Sequence, residues 1–547
     1  MRVEAFTKFL LAIAASIAGP SAAYAQSAGS LERTVPKFEV QPEKQSRVAT
    51  PTVAREASSR IASTFVLSAV NLEGATAISS EELAKSFEPF LASRVGQAEL
   101  DKIANDLTDR YRAAGYLLSY AVVPEQSVQS GIVRIRVVEG YIDQVRLEGD
   151  NRSALAIQDI VERIASDRPL RSVTLERILG LVRDLPGVTV LDTRISRSPA
   201  DPARHQLTIK LGADRVRGLL YSDNRGTADG ARVRAFSTVG LSSLAIPGDQ
   251  LQLDLFSIPS DDFRFVHGQA RFSAPLNDDG LRLTVSASRG DSFRRFKGPN
   301  QHGKSRQLIA DLAYPLVKSR AFSLVGRASL GEWKSEEEFS QITFQRDRYQ
   351  VARGWVEFTR AKKTRIDGRF AISRGLDLGS ATESGDPRAS RPFAGARFTK
   401  FNADVQIATA LSKRVVLRFD ATAQYSTEPL LAAEEFALGG SRIGRAFDFN
   451  EVAGDHGFGA LAEIRYVIGD TKHGPKSLEA FAYADGGGAF RKRSFAGLPD
   501  KQWLASAGAG LRFSALGLLW SGEVGVPIAR TRVDRGPRLF FSVVKSF

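Results

Sequence analysis

Residues Val415–Tyr425 read VVLRFDATAQY, which places Val415, Leu417, Phe419, Ala421, Ala423 and Tyr425 on one face of an extended chain. Arg418, Asp420, Thr422 and Gln424 fall on the other. A period of two marks a strand with one apolar and one polar side. The pattern recurs outward from this stretch, in Leu251, Leu253 and Leu255, and in Leu281, Leu283, Val285 and Ala287 against Arg282, Thr284, Ser286 and Ser288. It runs from about Gly212 to the aromatic strand Leu539–Phe547, LFFSVVKSF, where Lys545 is a misfit on the apolar face. A soluble sandwich alternates in the same way. The N-terminus favours a membrane cylinder with a wet interior instead. Arg2 and Lys8 flank the start, Phe9–Ala18 (FLLAIAASIA) is a short apolar run, and Ala23-Tyr24-Ala25 is a small-x-small cleavage site. Residues 1–25 therefore read as a secretory signal peptide. No later apolar run reaches the roughly 18 residues of a transmembrane helix. Entry into a membrane then requires a closed barrel, and at about 21 residues per strand with its connection, residues 213–547 hold about 16 antiparallel strands.

Composition narrows the chemistry. With no cysteine and a single methionine, thiolate metal sites, disulfide frameworks and cysteine nucleophiles are ruled out. The net charge of +14 is spread without a Lys/Arg block or a nucleic-acid motif, so a basic lumen and solvated faces are expected rather than a nucleic-acid partner. None of His205, His267, His302, His456 and His473 sits in a hydrolase or zinc-site motif, and no catalytic, metal or cofactor site is expected. Gly298-Pro-Asn-Gln-His-Gly303-Lys304-Ser305 matches a phosphate-binding loop by letter only. Its lead-in is charged, and Leu308, Ala310, Leu312 and Tyr314 after it alternate as a strand. The motif needs a strand before and a helix after, so no nucleotide is expected.

Before the barrel lie a polar arm, residues 26–63 with Pro36, Pro42 and Pro51, and two short units. In residues 64–140 a strand ends at Gly74, and Ser79 and Glu82 open a helix as a capping box. Leu100, Ile103, Leu107 and Tyr111 form the stripe of a second helix stopped by Gly115. Strands over 117–123 and 131–138 follow. Residues 141–212 repeat the order β-α-α-β-β, which makes two α+β copies of one unit.

Gly115-Tyr116, Pro124-Glu125-Gln126, Gly131 and Val138-Glu139-Gly140-Tyr141-Ile142 resemble the POTRA domain of two-partner secretion transporters, the ShlB/FhaC/HecB family. Asp223-Asn224-Arg225-Gly226, Tyr314-Pro315-Leu316 with Arg320, and Phe481-Ala-Tyr-Ala-Asp485-Gly-Gly487 are similar to that family's barrel motifs. The resemblance runs from about residue 64 to the end. It implies periplasmic POTRA repeats followed by a 16-stranded outer-membrane barrel.

Within the barrel one stretch differs, Ala437–Tyr466, ALGGSRIGRAFDFNEVAGDHGFGALAEIRY. A buried arginine needs an acidic partner, which a loop folded into a wet barrel can find on the wall. Gly444-Arg445-Ala446-Phe447 resembles the family's sixth extracellular loop, with Ala446 where the family has glycine. The resemblance implies a loop infolded over about 437–457 and a pair between Arg445 and Asp485. Phe447 and Gly444 shape that anchor, and Asp455, Gly457, Glu463 and Arg465 support it. The POTRA residues that carry over are Gly115, Tyr116, Pro124, Gln126, Glu139 and Gly140. The implied function is export of an unfolded passenger polypeptide of the haemolysin or adhesin type, with outer-membrane lipid around the barrel. A factor that inserts other barrels is the alternative. A passive porin or an outer-membrane enzyme has no use for the repeats.

Overall fold

The structure is a computed structural model that describes residues 35, 64–128, 130–226, 232–296, 300–469, 476–493, 500–529 and 536–547. The expected signal peptide, the polar arm apart from Val35, and Gly298 and Pro299 of the phosphate-loop match lie outside the described residues.

The first soluble unit contains β1 (Phe65–Val66), β2 (Ala69–Glu73), helix α1 (Ser80–Ala84), β3 (Arg94–Val95), helix α2 (Gln97–Ala113), β4 (Tyr120–Val122) and β5 (Ile132–Val138). The Ser79 side chain caps α1 by accepting the Glu82 backbone N–H. The α2 stripe of Leu100, Ile103, Leu107 and Tyr111 is fully buried. The second unit contains β6 (Tyr141–Gly149), α3 (Asn151–Glu162), α4 (Ser172–Asp184), β7 (Val188–Arg197) and β8 (Arg204–Ala213). In both, the first strand of the three-stranded sheet pairs in parallel with the last, and the remaining strand lies antiparallel beside it. The two copies share one topology.

The barrel strands are β9 (Val216–Asp223), β10 (Arg234–Ser242), β11 (Gln250–Ile258), β12 (Phe263–Pro275), β13 (Arg282–Arg294), β14 (Gln301–Lys318), β15 (Phe322–Phe339) and β16 (Ile342–Ala361). They continue with β17 (Thr364–Leu376), β18 (Thr399–Ala410) and β19 (Val415–Ser426). A small hairpin, β20 (Phe436–Leu438) and β21 (Val452–Gly454), interrupts before β22 (His456–Gly469), β23 (Lys476–Phe490), β24 (Lys501–Ala515), β25 (Leu518–Ala529) and β26 (Arg538–Ser546). All but the small hairpin close into a 16-stranded antiparallel barrel. Among the described residues no helix is long and apolar enough to cross a membrane, and strands do the crossing. Leu417, Phe419 and Tyr425 are exposed on the outside while Asp420 and Gln424 are buried inside, as the alternation requires. Lys545 lifts its amine to the Gly517 carbonyl in the β24–β25 turn, 3.1 Å away. A long side chain can thus keep its charge at the rim while its stem lies on the apolar face.

Strands β14, β15 and β16 run for 18, 18 and 20 residues, well beyond the roughly 10 that cross a bilayer. Their far ends project from the rim opposite the soluble units. Lys304 and Ser305 of the phosphate-loop match lie inside β14, with Lys304 paired to Glu338. This is extended chain where a nucleotide loop would turn into a helix.

Helix α4 seats the second unit on the near rim. Arg177 donates to the Pro315 carbonyl at 3.0 Å and lies over the Tyr314 ring, Lys318 pairs with Asp184 at 2.5 Å, and Glu176 accepts the Arg320 backbone N–H at 3.0 Å. The Tyr314-Pro315-Leu316…Arg320 motif is thus the ledge on which the soluble part rests.

Candidate functional site

The chain between β19 and β22 turns back into the lumen instead of looping outside. The infolding begins near Glu428, earlier than the 437 expected from sequence. Its tip, Gly444-Arg445-Ala446-Phe447, is a tight turn in which the Phe447 N–H donates to the Gly444 carbonyl at 2.9 Å. Gly444 has a φ of 80°, and a Cβ there would sit 2.9 Å from Leu504. Phe447 is buried with Leu438, Ile443, Leu461, Phe481, Tyr483 and Leu504, an apolar seat in an otherwise polar lumen.

The tip presses on an acidic wall. Glu463 of β22 and Asp485 of β23 face the lumen on neighbouring strands, and Glu523 of β25 lies beyond. The pairing implied by resemblance needs correction. The Arg445 guanidinium donates to Glu463, Nη1 to Oε2, at 2.7 Å, and lies over the Tyr483 ring with 4.5 Å to its centroid. Asp485 instead accepts the Arg445 backbone N–H at 3.0 Å and a hydrogen bond from the Ser506 hydroxyl. The loop sits deep enough for its backbone to reach Asp485, which carries the longer side chain past that carboxylate to Glu463. Glu463 also holds Arg465 at 2.6 Å and Arg512 at 3.1 Å, so one buried carboxylate faces three guanidinium groups. Arg465 faces the lumen as expected and meets Glu463 rather than the loop.

Ala446 is fully buried and is not among the residues with positive φ, so the family's glycine is not needed for backbone reasons. Its methyl fits because the wall residue opposite is Gly525, where an added Cβ would lie 3.2 Å from the Ala446 Cβ. Asp455 ends the loop. It accepts both Arg391 nitrogens, at 2.5 and 3.2 Å, and the N–H groups of Leu430 and Lys492. Gly457 leaves room for the Phe436 ring.

Three groups escaped the sequence reading. Arg225, from the Asp223-Asn-Arg-Gly226 motif, donates to the Arg445 carbonyl at 2.8 Å, pairs with Glu523 and stacks on Phe540. Asn224 stitches the seam between β9 and β26 through the Leu539 carbonyl and the Phe541 N–H. Glu434, 3% exposed, sits among Arg353, Lys400 and Tyr349. Its signal was available: Glu434-Glu435 stands between Leu430-Leu431 and Phe436-Ala-Leu438, an acidic pair in an apolar run.

In the first soluble unit the carried-over residues work as joints. Gln126 accepts the Arg134 N–H at 2.8 Å and donates to its carbonyl at 2.7 Å, so a side-chain amide stands in for a strand neighbour. Pro124 starts the turn, where its carbonyl also receives the Gln126 amide. Gly115 and Gly140 accept the N–H groups of Ser172 and Leu170 at 2.8 and 3.0 Å, which locks the second unit to the first. A Cβ on Gly140 would lie 2.6 Å from Leu118. Tyr116 packs on the α2 core. Glu139 accepts the Thr76 and Ala77 N–H groups at 2.7 and 2.8 Å and the Tyr111 hydroxyl at 2.6 Å. Partial burial raises the pKa of this carboxyl, but these donors together with the Thr76 hydroxyl outweigh burial and hold it below the usual range. A depressed carboxylate contributes stability that is present above its unfolded pKa and lost as pH falls through the folded one. Hydrogen exchange of the full-length protein in detergent is expected to show α2 and β5 losing protection as the pH falls below about 4. Glu139→Gln should lose about 1–2 kcal/mol of local stability at pH 7 and respond less to acid.

Taken together, the chain is a pair of α+β units of one topology ahead of a closed barrel that holds its own loop. The chain belongs to the haemolysin secretion/activation protein ShlB/FhaC/HecB family, whose model matches residues 207–513, more than half of it; the ShlB-type POTRA domain matches residues 65–140. It is similar to the heme/hemopexin transporter protein HuxB of Haemophilus influenzae (strain 86-028NP), 24% identical over 86% of this chain and 84% of that one. Among solved structures it resembles CdiB from Escherichia coli, with a TM-score of 0.74 and 19% identity over 92% of this chain and 94% of that one. BamA from Haemophilus ducreyi lacking POTRA domains 1–3 shares the fold, with a TM-score of 0.51 and 13% identity over 88% of this chain and all of that one. The protein is an outer-membrane transporter of the two-partner secretion type, with periplasmic POTRA units and a barrel through which a secreted polypeptide passes.

Proposed function

We propose that the infolded loop is the gate of this pore, held shut by Arg445 on Glu463 and by its backbone on Asp485, and that the passenger is an unfolded exoprotein of the haemolysin or adhesin type. The buried Arg445–Glu463 contact at the loop tip carries this reading. A desolvated ion pair fixes the tip in one defined seat in the lumen, from which it has to be released for a chain to pass. The edge strands β2 and β4 of the first sheet, and β6 and β7 of the second, suit capture of an extended chain by main-chain hydrogen bonds. Export then needs no nucleotide and no chemical step, since folding of the passenger outside biases its direction. Lipid surrounds the exposed apolar belt of the barrel.

Arg445→Ala tests the gate. Glu463 keeps Arg465 and Arg512 in that variant, so no buried carboxylate is stranded and the barrel should still assemble. Secretion should fall by about tenfold or more, because the tip loses the charged hydrogen bond, worth about 1.5–3 kcal/mol, that sets its position against the wall. Heat-modifiable migration on gels reports the fold, and exoprotein in the medium reports transport. Normal export by a well-folded variant would end the gate reading. Deletion of the chain should remove one exoprotein from the medium, whereas a general loss of outer-membrane barrels would favour an assembly role.

A further inference from the structure

We propose that Glu434 is a positioning residue that anchors the loop's stem independently of its tip, so that gating moves only the segment between Leu438 and Val452. The inference rests on the gate reading above and specifies what moves.

The stem enters the lumen through a short helical turn, Ala432–Glu434, after Leu430 and Leu431, which are fully buried against Tyr349, Val351 and Phe398. Glu434 then enters a basic socket built from three wall strands. Arg353 of β16 donates to Glu434 Oε1 at 2.5 Å, Lys400 of β18 pairs with Oε2, and the Tyr349 hydroxyl donates at 3.2 Å. Gln424 of β19 donates to the Glu434 carbonyl at 3.0 Å. Arg353 is itself stacked on Trp333, 5.0 Å from guanidinium to ring centroid.

The two seats have opposite polarity. At the tip a loop cation meets a wall carboxylate on β22. At the stem a loop carboxylate meets wall cations on β16 and β18. Apart from the loop itself, no described residue belongs to both, so release of one leaves the other charge-paired. Between them lie Gly439 and Gly440 with φ of 109° and 98°, adjacent left-handed glycines that absorb a large backbone rotation at little cost. The hairpin β20–β21 brackets the same segment, with Leu438 opposite Val452. A stem fixed at Glu434 and a tip free to swing about Gly439–Gly440 follow from this arrangement.

The absence of native cysteine gives a clean readout. Ala446→Cys reports the tip and Ala433→Cys the stem, through labelling rates with a membrane-impermeant maleimide on full-length protein in outer-membrane vesicles. Arg445→Ala should raise labelling at the tip about tenfold or more and leave the stem rate unchanged; Glu434→Gln should raise the stem rate by a similar factor. Glu434→Asp, which keeps the charge, should restore most of the protection. If Glu434→Gln fails to assemble, Lys400→Met is read in its place, with the same expected rise at the stem. Equal rises at both positions with Arg445→Ala, or no rise at the stem with either socket variant, would overturn the two-anchor model. Because labelling is read without passenger, failure here is distinct from failure of the gate reading, which secretion alone decides.

Discussion

A chain carrying Ala446→Cys and Gly525→Cys should secrete no exoprotein when oxidised and regain export when a membrane-impermeant phosphine reduces it. The two positions face each other across the loop–wall contact, with 3.2 Å between the Ala446 Cβ and the place a Cβ would take on Gly525. A disulfide accepts Cβ atoms about 3.5–4.5 Å apart, so a small outward shift of the loop suffices. Both positions look into a lumen open to oxidising compartments, where such bonds persist. With no other cysteine in the chain, the crosslink has no competitor. The bond ties the turn beside Arg445 to β25 and forbids any route that needs the tip to leave the wall. Gly525→Cys alone crowds the Tyr483 hydroxyl and Ala446, with a Cβ 3.0 and 3.2 Å from them, so the lock is read from the same double variant oxidised and reduced rather than against the single variants. Full export by the oxidised double variant would mean that the passenger passes a seated loop, and the gate would have to be sought elsewhere.

The second large effect belongs to Glu463→Ala, which should be more damaging than Arg445→Ala. The carboxylate is fully buried and shared by Arg445, Arg465 and Arg512 at 2.7, 2.6 and 3.1 Å. Arg512 keeps Glu479 at 3.0 Å, and Arg465 lies 4.0 Å from that group, but Arg445 is left with Glu523 at 4.0 Å. Breaking a buried pair by removing one partner costs about 3–5 kcal/mol, and here the lost partner served three cations. The heat-modifiable transition should move to clearly lower temperature, with the loop tip exposed to protease. Adding Arg445→Ala to Glu463→Ala should recover part of the loss, since it removes the cation left worst off. A double variant that loses the sum of both single effects would mean that the two residues do not act on each other.

Much of this was legible in the chain because alternation and glycine placement are local. The period of two in Val415–Tyr425 sets which side meets lipid, and the Ser79–Glu82 spacing sets a helix start. The repeat from β6 to β8 was visible as order alone. What escaped depends on depth and on distant strands. Glu463 and Asp485 both face the lumen on adjacent strands, and only the depth of the loop decides which meets the guanidinium and which the backbone. Glu434 finds Arg353, Lys400 and Tyr349 from strands 34 to 85 residues away, and no spacing rule reaches that far. The long strands β14–β16 were hidden because their alternation continues past the membrane. There Lys304, Glu336 and Arg346 take the outward places that leucines take lower down.

The seam between β26 and β9 carries a consequence for biogenesis. It pairs five residues on each side, Gly218 and Phe547 exchange backbone hydrogen bonds at one end, and Asn224 extends the other by bonding to Phe541, 317 positions along the chain. Until β26 reaches β9, the sheet has two raw edges. Closing so long a span is entropically costly and slow. Strand β26 is thus the clasp that turns a ribbon into a tube.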